Sequence, residues 1–139
     1  MEAKELIALA RQVMQRAYTP YSNFNVGAAL LADDGQVHLG CNVENAAYGP
    51  TNCAERTALF RAIADGYKPK SFRAIAVIGD TEGPISPCGV CRQVLVELCA
   101  PDMPVFLSNM KGEFVETTVA SLLPGAFTNQ DLTSSGGNS

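Results

Sequence analysis

Two short segments carry the residue types best suited to chemistry: Cys53-Ala54-Glu55 and Pro87-Cys88-Gly89-Val90-Cys91. Cys88 and Cys91 stand three apart, which on a helix places their Cβ atoms ~5–6 Å from each other on one face. A tetrahedral zinc with sulfurs at ~2.3 Å holds those sulfurs about 4 Å apart, a difference the side chains can close. Thiolates at a helix N-terminus lie on the positive end of the helix dipole, which favours the deprotonated, metal-binding form. Cys53 begins a second helical pattern and can offer a third sulfur in the same way. Three sulfurs leave one tetrahedral position open, as in catalytic zinc sites, whereas structural sites are closed. Glu55 is then the natural proton carrier for a water at that position. Residues two apart do not share a helix face, so Cys53 and Glu55 can serve one metal only if Cys53 sits at or before the first turn.

Three thiolates over-neutralise a divalent ion and weaken its pull on water. Arg56, next to Glu55, can donate charge-assisted hydrogen bonds to a thiolate and withdraw that excess. Its alternative is an ordinary exposed helix arginine. The other cysteines sort by reach. Cys99 lies eight residues after Cys91, ~12 Å along a helix axis, too far to join the same tetrahedron, and reads as a core residue. Cys41 falls near a strand end and reads as packing. His38, the only histidine of the chain, follows a hairpin turn and is expected at a solvated hairpin rim rather than on a metal.

The elements that must position these residues follow from periodicity. Apolar spacing predicts a helix over 2–17, with Pro20 beyond its end. The runs 26–32 and 36–42 flank Asp33-Asp34-Gly35, a strong hairpin signal. Residues 44–52 read as irregular, with Gly49-Pro50 as a breaker. A helix is expected over 53–65, and a strand buried on both faces over 72–79. Ser86-Pro87 reads as an N-cap followed by proline at the first helical position, opening a helix over 88–100. Strands over 104–108 and 114–119 and a short helix near 119–123 complete the pattern. Helices alternating with strands and strand pairs argue for an α/β fold, a helix–sheet–helix sandwich with a mixed sheet. Residues 1–127 read as one domain and 128–139, nearly free of apolar residues, as a disordered tail.

Composition bounds the function. The 139 residues suffice for one domain of ordinary size, and 47% hydrophobic residues exclude a disordered chain. Ten scattered basic residues and a net charge of −4 provide no electrostatic footprint for nucleic acid or an anionic membrane. No apolar run approaches a membrane span, and Met1-Glu2-Ala3-Lys4-Glu5 lacks a secretory n-region, so a cytoplasmic protein with reduced thiols is expected. Charged residues make up 17% against about 25% for typical domains, which fits either a surface partly covered by a partner such as another copy of the chain or ordinary composition scatter.

An H-x-E segment followed by P-C-x-x-C is the signature of zinc deaminases, with three-cysteine sites as a variant. The chain has C-A-E and P-C-G-V-C. It resembles the short, homotetrameric, zinc-dependent cytidine deaminases of nucleoside salvage. The further matching segments are Ala17-Tyr18-x-Pro20-Tyr21-Ser22-x-Phe24-x-Val26-Gly27-Ala28, Asn42-Val43-Glu44-Asn45-Ala46-x-Tyr48-Gly49 and Leu122-Leu123-Pro124-x-x-Phe127. The resemblance implies a sheet of five strands between helices and one Zn²⁺ per subunit on Cys53, Cys88 and Cys91. It implies a pyrimidine nucleoside substrate and a homotetramer with active sites shared between subunits. Phe24 matches an aromatic lining the pyrimidine pocket, and Asn42 and Glu44 match residues that bond the ribose hydroxyls. Ala54 belongs to the substrate-binding set, Tyr48 orders its loop, and Phe127 matches an aromatic reaching a neighbouring subunit's site. The implied reaction is hydrolytic deamination: a zinc-activated water attacks C4 of cytosine while Glu55 carries protons from it, first to N3 and then to the leaving amine.

Several alternatives remain at this level. Asn42 and Glu44 could be solvated loop residues, and Phe127 could anchor the core or the tail. A structural zinc module would recruit a fourth cysteine, and a redox protein would use Cys88 and Cys91 as a reversible dithiol pair. The same chemistry could act on another substrate, as in a blasticidin S-type deaminase or a nucleic-acid editing enzyme. The acidic balance counts against editing, since single-stranded nucleic acid still needs backbone contacts.

Overall fold

A computed structural model describes residues 1–47 and 49–126. In chain order the elements are α1 (Ala3–Met14), β1 (Val26–Ala32), β2 (Val37–Cys41), α2 (Ala54–Ala64), β3 (Phe72–Gly79), α3 (Gly89–Leu98), β4 (Pro104–Asn109), β5 (Phe114–Thr118) and α4 (Val119–Leu122). The five strands form one mixed sheet in the order β2-β1-β3-β4-β5. Only β3 and β4 run parallel, and α3 makes the crossover between them. The expected α/β sandwich is the one found.

Strand β1 shows why the sheet needs helices on both sides. All seven of its residues are buried. Ala28 and Leu30 face a core built with Ala58 and Leu59 of α2 and Leu95 of α3. Ala29 and Leu31 face a second core built with Leu6 and Ala10 of α1. Alternate side chains of a strand point to opposite faces, so a continuous apolar run pays off only in a covered sheet. Two glycines set the helix–sheet distances. A Cβ on Gly27 would lie 2.0 Å from the Ala10 carbonyl oxygen of α1, and one on Gly40 would lie 2.4 Å from the Ala58 nitrogen of α2.

Element ends differ from the sequence reading by a few residues, for identifiable reasons. Helix α1 stops at Met14 rather than 17, and the Met14 carbonyl accepts from the Ala17 amide and from the Asn25 side-chain amide, each at 3.2 Å. Ser86 is not the cap of α3. The N-cap is Cys88, whose sulfur accepts from the Cys91 amide at 3.4 Å, so Pro87 lies outside the helix. His38 is not a solvated rim residue. It is 7% exposed on β2, on the strand face where Gly40 meets α2. Its ring meets Tyr67 edge-on at 4.4 Å, and Nδ1 lies 3.8 Å from an Asp65 carboxylate oxygen. Cys99 is fully buried in the α2–α3 core, as expected, and burial pushes its thiol up to about 12. The tail over 128–139, Tyr48 and Phe127 lie outside the described residues. No helix among the described residues is long and apolar enough to cross a membrane.

Candidate active site

The site is built where two helices begin side by side on the same face of the sheet. Cys53 is the N-cap of α2, with extended backbone (φ −78°, ψ 159°). Cys88 is the N-cap of α3, with nearly the same conformation (φ −69°, ψ 165°). The N-cap position resolves the spacing difficulty of Cys53 and Glu55, because a residue outside the helical turn need not follow its face rule. The Cys53 carbonyl accepts from the Thr57 hydroxyl at 3.1 Å, and the Asn52 side chain donates to that hydroxyl at 3.1 Å. The cap is thereby held from both sides.

The three sulfurs of Cys53, Cys88 and Cys91 lie within 4.8 Å of one another, and among the described residues no other group of three or more His, Cys, Asp or Glu converges in this way. Cys53 Sγ and Cys88 Sγ are 3.6 Å apart. Tetrahedral zinc with Zn–S near 2.3 Å needs sulfurs about 4 Å apart, so the donor set fits the ion. Cys41 and Cys99 stay outside the cluster, which leaves the protein three ligands and one open position.

The electrostatics follow from this crowding. Cys53 is drawn down to about 5, first by its hydrogen bond with Cys91 and then, against the cost of burial, by the Arg56 guanidinium. Arg56 Nη2 donates to Cys53 Sγ and to the Thr51 carbonyl, each at 3.4 Å. Cys91 is pushed the other way by the same shared bond and by burial. Arg56 therefore stands where charge relief requires it. Glu55, 4% exposed in the first turn of α2, is pushed up to about 7 by burial, with the Cys53 charge adding to the effect. A carboxyl poised near neutrality beside an open metal position can both accept and return a proton.

A cavity of about 190 Å³ opens over the cluster, lined by Phe24, Val26, Asn42, Cys53, Ala54, Glu55, Ile85, Ser86 and Cys88. Phe24, Asn42 and Ala54 thus share one cavity with Cys53, Cys88 and Glu55. Asn42 is partly committed: its Oδ1 accepts from the Val26 amide and its Nδ2 donates to the Phe24 carbonyl, both at 2.8 Å. One amide proton and one lone pair remain for a ligand. Glu44 lies elsewhere, in a cleft of about 260 Å³ with Tyr21, Ser22, Asn45 and Thr51. Its carboxylate accepts from the Tyr21 amide at 3.0 Å, the Ser22 amide at 3.1 Å and the Ser22 hydroxyl, and the hydroxyl bond holds it below the usual carboxylate range. Val26, Ile85 and Ser86 were not named as site residues from sequence, where Ser86 was read only as a helix cap. The position of Ile85 and Ser86 directly before Pro87-Cys88 was the available signal.

The family model described as the cytidine and deoxycytidylate deaminase zinc-binding region matches residues 1–107. The chain belongs to this family. A cytidine deaminase from Sporosarcina psychrophila is 59% identical over 132 residues, 95% of this chain and 96% of that protein. One from Halalkalibacterium halodurans is 54% identical over 132 residues, covering 95% and 98% of the two chains. The crystal structure of cytidine deaminase from Burkholderia pseudomallei superposes with a TM-score of 0.90 at 57% identity, over 91% of this chain and all of the other. Zinc is the metal of the family, and Cys53, Cys88 and Cys91 are placed to hold it.

Proposed function

We propose that this protein catalyses the hydrolytic deamination of cytidine and deoxycytidine to uridine and deoxyuridine, with release of ammonia, and that it serves pyrimidine salvage in the cytoplasm. The observation that carries the reading is the buried Glu55, poised near neutrality in the wall of a cavity that also exposes Cys53 and Cys88. Cys53, Cys88 and Cys91 would hold the zinc, which would supply the Lewis acidity that lets a water ionise near neutral pH. Glu55 would take one proton from the attacking water and pass it to N3 as oxygen bonds to C4, then take the remaining hydroxyl proton and deliver it to the amine as the C4–N bond breaks, leaving C4=O and ammonia. Arg56 bears on Cys53 and limits the negative charge of the site. Phe24 offers a flat apolar wall to the ring, and the buried Ala54 offers its backbone beside the metal ligand.

The resemblance assigns the ribose end to Asn42, Glu44 and Tyr48; of these Asn42 lines the cavity and Glu44 the neighbouring cleft. One loop links the two: the Ser22 hydroxyl donates to Glu44 and accepts from the Phe24 amide, and the Phe24 carbonyl accepts from Asn42. A homotetramer with Phe127 of one subunit reaching a neighbour's site fits the exposed Tyr18, Tyr21, Phe60 and Val90. Scattered surface apolar residues are ordinary singly, so this part rests on the family resemblance. Zinc-loaded protein should be given cytidine, deoxycytidine, deoxycytidylate and blasticidin S in parallel, with ammonia release as the common readout. Release from the two nucleosides supports the reading. Release from blasticidin S alone would move the protein to a different substrate class.

A further inference from the structure

Arg92 is the fourth residue of α3, directly after Cys91, where a cation faces the positive end of the helix dipole. Such a position disfavours a guanidinium unless acceptors surround it. Three do. Nε donates to the Pro87 carbonyl at 2.9 Å, Nη2 to the Ser86 hydroxyl at 2.6 Å, and Nη1 to the Leu122 carbonyl at 2.7 Å. Each acceptor has a distinct place. Ser86 lines the cavity. Pro87 is buried and immediately precedes the ligand Cys88. Leu122 is the last residue of α4, whose terminal carbonyls have no partner within the helix.

We propose that Arg92 is a positioning residue: it braces the Ser86-Pro87 wall of the cavity, and with it the approach of Cys88 to the metal, against the end of α4. Arg92 need not touch substrate. Its planar fork satisfies three diverging acceptors at once, which a lysine ammonium on the same stem cannot do. The guanidinium also gives the α4 carbonyl end a favourable charge.

The kinetic part of the test rests on the deaminase reading. Arg92→Lys keeps the charge and most of the stem. It should retain zinc yet lose ~10–100-fold in kcat/KM for cytidine, with KM rising as Ser86 drifts. The visible spectrum of the cobalt(II)-substituted protein should shift as Cys88 changes its angle on the metal. Ser86→Ala removes one of the three acceptors, so adding Arg92→Lys to it should cost less than the product of the two single losses. A variant with native kinetics and a native cobalt spectrum that differs only in Tm would reduce Arg92 to a structural brace and overturn the proposal. Fully multiplicative losses would overturn the link through Ser86. If the wild-type protein does not deaminate cytidine, the functional reading fails, and the cobalt spectrum alone decides for or against Arg92.

Discussion

Replacing Glu55 by glutamine should stabilise the metal-free protein in alkali and leave it unchanged in acid. Glu55 is 4% exposed, and burial lifts its carboxyl from the ordinary 4.5 to about 7. Each tenfold change in proton affinity is worth ~1.4 kcal/mol, so carrying the charge costs the folded state about 3 kcal/mol. Between 4.5 and about 7 the folded protein holds a proton that the unfolded chain has released, so stability falls as pH rises through that window. Glutamine has the same shape and no proton to lose. Cys53, Cys88 and Cys91 are present in both proteins, so their titration largely cancels. Urea unfolding of reduced, chelator-treated protein from about pH 4.5 to about pH 8 would measure the difference. Wild type and Glu55→Gln should coincide at the acid end and separate by about 3 kcal/mol at the alkaline end, with glutamine the more stable. A gap that does not change with pH, or a glutamine variant weaker at pH 8, would refute the reasoning, because Glu55 would then have a compensating partner when charged.

Three further outcomes follow from the same geometry. Arg56→Gln removes a donor that helps hold the Cys53 thiol down to about 5; protons then compete better for the sulfur, and half-maximal zinc binding should move to higher pH in a spectroscopic titration. Gly40→Ala drives a Cβ to 2.5 Å from the Ala54 carbonyl and 2.4 Å from the Ala58 nitrogen; it should cost about 1–3 kcal/mol or more by overpacking, and kcat/KM should fall because Cys53 and Glu55 ride on the displaced α2. Chelation should lower Tm reversibly, and zinc supplied at ~1,000 times its Kd should restore about 4 kcal/mol, as linkage requires of an ion bound only by the folded state.

How far the sequence could be read depended on the range of the interaction. Strand β3 was legible from end to end because an apolar run covered on both faces is a local signal. The Cys88–Cys91 pair was legible for the same reason, since both lie within one helical turn, whereas Cys53 caps the preceding helix α2 and meets them across 35 residues. Capping was misread at Ser86. A serine before proline looks like a cap, but here its hydroxyl is taken by Arg92 and the Cys88 sulfur does the capping. His38 was misplaced because burial on β2 depends on where α2 lies, and Gly40, two residues on, is the only local sign of that. The order of strands, the separation of Glu44 into its own cleft, and the bond from Arg92 to Leu122 thirty residues away are long-range facts that no periodicity encodes. Tyr48 and Phe127 stand only on resemblance.

The most direct test of the account is a paired measurement on Glu55→Ala and wild type: zinc content per chain, and the ultraviolet change as cytidine becomes uridine. The site predicts one zinc per chain in both proteins, rapid turnover in the wild type and nearly none in the variant, because three sulfurs hold the ion while Glu55 moves the proton. Full turnover by Glu55→Ala, or no turnover by zinc-loaded wild type, would contradict it.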